Sequence, residues 1–315
     1  MEKIAIMCDS MAEISQEEAA KLNIKVIPMP FMINGTEYLE GVSLDNDTFF
    51  KMLEDDATVS TSQPSTAYVA SIWDELLEEY DTVLYIPMSS GLSKSCESAM
   101  VEAEKNYKNR VFVVDAKRIS ATLRQIIYDA MRLRDLGYSA FEIKNILTEV
   151  RSQSKIFIML NTLYYLKKGG RITPAAAALG GMLKLKPVLV IDGEKLDKYK
   201  MRNRSLENGI EIMIEAAKKT ILEFKEIDGR TDNIRYEIAY ASRSTEDALL
   251  LEKRMREEFG SDINILIDRL ALAVCCHTGE GAVGIAVTKD IPDKYTKNVF
   301  VDGDKSLKAI GEYAL

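Results

Sequence analysis

The sequence predicts a two-domain α/β protein, and three observations carry that expectation. The chain has 315 residues, about two domains at roughly 150 residues each. Its first half alternates short apolar runs with amphipathic stretches, the pattern of parallel strands joined by crossover helices. Its second half contains an apolar run, Asp192-Gly193 and a second run, which reads as an antiparallel hairpin. The N-terminal domain, 1–155, is expected to hold a mostly parallel sheet. The C-terminal domain, 156–315, is expected to hold a mixed or antiparallel one. The boundary rests on the change of pattern, with no linker to mark it, and the last segment is free to return to the first domain.

Lys3 to Cys8 is a short apolar run and reads as a buried strand. Ser15-Gln-Glu-Glu18 is a capping box opening a short helix. Ile24 to Met29 is a second strand. Phe31 to Ile33 and Thr36 to Tyr38 flank Asn34-Gly35, which supplies the two positive-φ residues of a type I′ hairpin turn. Val69, Ile72, Trp73, Leu76, Leu77 and Tyr80 recur at helical spacing and form one apolar face. Thr82 to Pro87 is a buried strand, a helix begins near Ser93, and Arg110 to Val114 is another strand. Ser120 to Leu136 and Ala140 to Ser152 read as helices.

The second half opens with a strand at Lys155 to Leu160 and a short Ala/Gly-rich helix at Ala175 to Leu183. Lys186 to Ile191 and Lys195 to Lys200 form the hairpin. Leu206, Ile210, Met213, Ala217 and Ile221 line one side of a long helix. A strand at Arg235 to Tyr240, a helix at Thr245 to Phe259, and strands at Asn264 to Ile267 and Val283 to Val287 complete the reading.

Composition narrows the function classes. The net charge of −8 argues against a nucleic-acid binder, which usually carries a basic surplus. No run approaches 18 apolar residues, so no transmembrane helix is expected. Met1 to Asp9 lacks the basic start and long apolar stretch of a secretion signal. Cys8, Cys96, Cys275 and Cys276 form neither a disulfide framework nor CxxC pairs. They read as reduced thiols in the cytoplasm. Cys275, Cys276 and His277 contain zinc-ligand types, but three adjacent residues rarely converge on one tetrahedral ion.

Four segments could carry chemistry. Ser89-Ser90-Gly91-Leu92-Ser93 follows a buried strand and precedes a helix. Ligands of open α/β sheets bind at the carboxyl ends of strands, and helix N-termini favour anions. A plain serine cap fits the same residues, and spacing alone does not separate the two. Thr61-Ser62-Gln63-Pro64-Ser65 precedes the strongly amphipathic helix. Ser65 is its expected cap, which leaves the Thr61 and Ser62 hydroxyls in the entry loop, for turn chemistry or for an anion. Leu166-Lys167-Lys168-Gly169-Gly170-Arg171-Ile172 concentrates positive charge, as a solvated turn or as a docking point for an acidic partner. His277, the chain's one histidine, sits beside Gly279 and Gly281, a tight-turn pattern.

A rival reading is a serine hydrolase acting on an acyl ester. Gly91-Leu-Ser93-Lys-Ser95 approaches the nucleophile elbow but lacks its second glycine. Ser93, Asp115 and His277 could be drawn as its triad. No phosphate-binding G-x-x-x-x-G-K-[ST] loop is present to suggest a kinase or ATPase.

Taken in order, these segments resemble the bacterial DegV family of fatty-acid-binding proteins. The matching motifs are Cys8-Asp9-Ser10 with Glu13-Ile14, Thr61-Ser-Gln-Pro-Ser65, Ser89-Ser-Gly-Leu-Ser93, Val114-Asp115, Gly169-Gly-Arg171-Ile172, Lys186-Pro187, and His277-Thr-Gly279 with Gly281. The resemblance implies a non-catalytic, lipid-binding subunit of a fatty acid kinase. Such a subunit presents a long-chain fatty acid to a separate ATP-binding subunit, and the acyl phosphate feeds phospholipid synthesis. It implies two α/β domains with an acyl tunnel between or beside them, walled in part by Ala175 to Leu183. It implies no cofactor besides the bound fatty acid, and leaves room for transient membrane contact. Thr61 and Ser93 correspond to the carboxylate-binding residues, with Ser62, Gly91 and His277 beside them. Arg171, Lys167 and Lys168 correspond to the mouth or the partner-facing surface. Lys94, Ala116 and Glu280 depart from the family pattern, where Gly, Ser and Pro are usual.

Overall fold

The structure, a computed structural model, describes residues 2–178 and 185–296. Its first layer is a four-stranded parallel sheet of β1 (Ile4–Asp9), β2 (Lys25–Ile27), β6 (Thr82–Ile86) and β7 (Val111–Val113). The strand order is β2-β1-β6-β7. Both central strands, β1 and β6, are buried along their whole length, as strands covered on both faces must be. The chain runs outward from β1 to β2 on one side and from β6 to β7 on the other. The order therefore switches between β1 and β6, where open α/β sheets form their ligand crevice. Asp9 ties the two strand ends together there. Its carboxylate accepts the N–H of Met11 at 3.1 Å and of Met88 at 2.9 Å. Burial raises its pKa to about 6 despite those bonds.

Helix α1 (Gln16–Leu22) is capped by Ser15, which accepts the Glu18 N–H. Only half of the expected capping box forms. The Glu18 carboxylate instead takes the Tyr128 hydroxyl at 2.8 Å and faces Arg124. The Asn34-Gly35 turn has φ of 50° and 83°, as the hairpin requires, and joins β3 (Pro30–Ile33) to β4 (Thr36–Leu39).

Between these and β6 the sequence reading missed two elements, α2 (Asn46–Glu54) and β5 (Val59–Thr61). They create a separate antiparallel sheet, β4-β3-β5. Thr61 is thus the last residue of a strand, paired with Phe31. The entry loop begins only at Ser62. Ser65 caps α3 (Thr66–Leu76) as expected, accepting the Tyr68 N–H.

Helices α4 (Ser95–Asn106), α5 (Ala121–Asp135) and α6 (Ala140–Glu149) follow. The Ser89–Ser93 segment does not cap α4 through a serine. Lys94 occupies that position, with no side-chain bond.

The second sheet contains β8 (Ser154–Met159), β9 (Val188–Ile191), β10 (Asp197–Lys200), β11 (Ile234–Ala241), β12 (Ile265–Arg269) and β13 (Ala282–Lys289). Their order is β10-β9-β8-β13-β11-β12. Every neighbouring pair is antiparallel except β11 with β12, so the sheet is mixed. All strands of the first two sheets precede residue 114, and all six of this sheet start at Ser154 or later.

Along β13, Val283, Ile285 and Val287 pack with Met213 and Leu251, from α9 (Leu206–Asp228) and α10 (Glu246–Phe259). The alternating residues Ala282 and Ala286 join the cluster on the opposite face, which includes Leu123 and Ile127 of α5. Side chains alternate across a strand, so small residues on this second face leave room between the sheet and α5.

Three more helices were not fully legible. α7 (Tyr164–Gly169) lies where a basic turn was expected. α8 covers Pro174–Ala177, and the rest of the Ala/Gly-rich stretch, 179–184, lies outside the described residues. α11 (Leu272–Thr278) carries His277.

Candidate functional site

A cavity of about 540 Å³ lies between one face of the second sheet, the start of α5 and the small sheet's Pro30 and Thr61, within the usual range for small-molecule sites, roughly 300–1,000 Å³. Met11, Met29, Ile119, Ile156, Ile158 and Leu270 form apolar wall. Thr61, Ser62, Gly91, Ser93, Arg171 and His277 also line it. The structure thus brings these six sequence-selected residues to one cavity from four different segments. Lys167 and Lys168 are exposed on α7 and are not among the lining residues. Ala175 to Ala178 do not line it either.

The polar end is assembled by close backbone approach. At Gly169, in the last turn of α7, an added side-chain carbon would collide with Nδ1 of His277. Gly279, with φ of 71°, presses against the Tyr165 ring, and Gly281, with φ of 82°, against Asn161. The glycines of the two motifs therefore let α7 and the turn after α11 meet without a gap. Arg171 follows directly. Its Nε donates to the Leu92 carbonyl at 3.3 Å and its Nη1 to the Gly169 carbonyl, so it joins α7 to the Ser89–Ser93 loop.

His277 Nε2 lies 2.9 Å from Thr61 Oγ1. Burial, and then the positive charge of Arg171, lower the imidazole pKa from 6.5 to about 4. The ring is neutral at pH 7. Its buried Nδ1 has no hydrogen-bond partner. An orphaned N–H is rarer in buried sites than an under-used acceptor, which favours the proton on Nε2. Nε2 then donates to Thr61, and the Thr61 hydroxyl keeps its own proton for a ligand acceptor.

The Ser89–Ser93 loop is held from below. Asp115 accepts the Ser90 N–H at 3.2 Å and the Ser90 hydroxyl at 2.6 Å. Burial opposes ionisation of Asp115, but the Ser90 bonds and the Lys117 ammonium outweigh it and hold its pKa low. Lys117 Nζ also reaches Glu194 at 2.7 Å. The Ser89 hydroxyl donates to the Gly193 carbonyl. The β9–β10 turn therefore clamps the loop, and Gly91 is pressed against the Glu194 backbone. Sequence reasoning missed Lys117 and Glu194. Neither residue lies in a recognisable motif, and their pairing spans 77 positions.

This geometry does not support the rival hydrolase reading or a zinc site at Cys275–His277. The hydrolase triad is not assembled: His277 bonds Thr61, Asp115 bonds Ser90 and Lys117, and Ser93 Oγ accepts the Ser95 N–H. Cys275, Cys276 and His277 occupy successive positions of one helix, where side chains diverge. Among the described residues no group of metal-ligating side chains converges.

The comparisons with known proteins agree with the motifs. The model of the DegV family of uncharacterised proteins matches residues 3–290. The chain belongs to the DegV family. A DegV domain-containing protein of Staphylococcus aureus is 31% identical over 298 residues, covering 92% of this chain and 100% of the relative. Among solved structures, a fatty-acid-binding DegV family protein from Thermus thermophilus superposes with a TM-score of 0.81 at 26% identity. That match covers 91% of this chain and all of the other. A fatty-acid-binding DegV family protein from Streptococcus agalactiae gives 0.80 at 25% identity, covering 92% and 100%. Fatty-acid binding thus recurs among DegV family proteins of this fold. No helix among the described residues is long and apolar enough to cross a membrane.

Proposed function

We propose that this protein binds a long-chain fatty acid in the cavity and presents its carboxylate to a separate ATP-dependent kinase subunit for acyl phosphate formation. One observation carries the reading: an apolar cavity against the second sheet ends at neutral hydroxyl donors, Thr61 and Ser93, with a neutral imidazole behind one of them. Neutral donors suit a single carboxylate, and the nearby Arg171 supplies favourable charge. Burying about 15 methylenes at roughly 0.8 kcal/mol each leaves ample binding energy after ordering costs. Ser62, Gln63 and Lys94 line the same cavity and are exposed to solvent, so a carboxylate held beside them is within reach of a partner. Arg171, with Lys167 and Lys168 on the adjacent surface, is assigned to that partner-facing mouth. The protein supplies the grip and the partner supplies ATP. We place the system in the cytoplasm, feeding phospholipid synthesis.

Mass spectrometry of denatured, purified protein is expected to release a fatty acid, and delipidated protein is expected to take one up. Absence of both would end the reading. A kinase subunit given ATP and the loaded protein is expected to form acyl phosphate. Lipid uptake without phosphorylation would leave binding standing and remove the presentation step.

A further inference from the structure

The cavity wall does not stay apolar to its end. Across the second sheet, Ile191, Ile156, Ala286 and Glu237 stand in one register row, and all four line the cavity. Glu237 lies three strand spacings from β9, whose turn holds the Ser89–Ser93 loop. At about 4.8 Å per strand that is roughly 14 Å, far from the proposed head-group end. Its side chain is buried, at 2% exposure. Oε2 accepts one long bond, 3.4 Å from Thr288 Oγ1, and Oε1 has no partner. Arg118, also buried, attracts Glu237 by charge, yet its Nε and Nη1 are both unpartnered. A buried carboxylate oxygen without a donor is costly.

We propose that Glu237 is a specificity-determining residue, and that the cavity selects acyl chains carrying a hydroxyl group on their distal half. The inference rests on the fatty-acid reading above. A hydroxyl donates to a carboxylate oxygen without adding charge. Charge is already balanced at this end: Glu237, Asp129 and Asp290 face Arg118, Arg235 and Arg132, so an ionised substituent would stand uncompensated. Ser120, which precedes the 15-residue helix α5, and Thr122, in its first turn, line the same cavity and add hydroxyl neighbours. A plain chain would place methylenes in this end and leave Oε1 without a donor.

The test is competitive uptake by the delipidated full chain of two ligand pairs differing only in a mid-chain hydroxyl: 12-hydroxystearate against stearate, and ricinoleate against oleate. The wild type is expected to favour the hydroxylated member of a pair by about tenfold or more. Glu237→Leu is expected to abolish or reverse the preference, and Glu237→Gln, which keeps an acceptor, to retain it. Equal binding of both members by the wild type would overturn the inference, with Glu237 then satisfied by water. A preference surviving in Glu237→Leu would overturn it as well. Should Glu237→Leu fail to fold, the wild-type preference and the Glu237→Gln variant still decide. Uptake of none of the four acids would remove the fatty-acid reading itself, and this inference with it. Uptake without discrimination would remove this inference alone.

Discussion

Thr61, at the end of a strand in the small antiparallel sheet, meets His277, in the helix before β13, at 2.9 Å across 216 residues. The contact turns two unremarkable positions into one donor unit. It sets the first prediction. Thr61→Val keeps the branched shape and removes the hydroxyl. Fatty-acid affinity, measured by displacement of a fluorescent acid, should fall about tenfold, the scale of one charge-assisted hydrogen bond. Ser93→Ala should lose a similar factor, with the melting temperature nearly unchanged in both. Unchanged affinity in both variants would show that the carboxylate is held elsewhere.

The second prediction concerns the protonation of His277. The chain holds a single histidine, so its ring proton can be followed by NMR without assignment. Burial and the Arg171 charge lower its pKa to about 4. The resonance of the ligand-free protein should therefore stay flat from about pH 8 to about pH 5, where a free imidazole would titrate near 6.5. In that interval the unfolded chain binds the proton that the folded one refuses. His277 thus costs stability as pH falls from 6.5 towards 4. A midpoint near 6.5 would contradict the buried, neutral ring.

How much of this was legible in the sequence depends on the range of the interactions involved. Trp73 and its neighbours announce α3 because a helix face repeats locally, and Asn34-Gly35 announces its hairpin because the turn requires positive φ. The parallel first sheet and mixed second sheet follow from such local patterns. β5 did not, because Val59–Thr61 is three residues long and acquires strand geometry only by pairing with Phe31. α11 did not, because seven residues holding two cysteines and a histidine show no helical periodicity. At the candidate site, the motif residues Thr61, Ser93, Arg171 and His277, which meet at one cavity, could be picked out from their order in the chain. Their supports could not. Lys117 reaches Glu194 across 77 positions and Glu237 reaches Thr288 across 51, and no spacing rule reports that.

Gly169 gives a third prediction. Its missing side chain is what allows the α7 backbone to touch the His277 ring. Gly169→Ala should push the imidazole off Thr61 and lower fatty-acid affinity at least as much as Thr61→Val does. Gly170→Ala is the control. Gly170 has φ of 68° and lines the cavity with nothing within 4 Å of an added carbon, so the change should cost about 1 kcal/mol of stability, leave the His277–Thr61 contact in place and lower affinity less than Gly169→Ala does. Equal losses of affinity in the two variants would mean that α7 as a whole, and not the His277 contact, governs the site.

The last prediction uses Glu13, next to the cavity-lining Ser120. Its carboxyl accepts the Ser120 hydroxyl at 2.6 Å through Oε1, while Oε2 has no partner. Burial, helped by the charge of Asp268, raises its pKa from 4.5 to about 8, against the opposing pull of Ser120 and Arg124. Between those two values the folded protein keeps a proton that the unfolded chain has released. Stability therefore declines as pH rises through that window and levels off above it. Glu13→Gln mimics the protonated acid and carries no such penalty. Its melting temperature should match the wild type near pH 4.5 and exceed it by a few degrees near pH 8, at roughly 2–4 °C per kcal/mol for a chain of this order of size. Glu237 and Asp9, also raised by burial, titrate alike in both proteins and cancel in the difference. Parallel pH profiles for wild type and variant would show that Glu13 is ionised in the folded state, with Arg124 then its effective counter-charge.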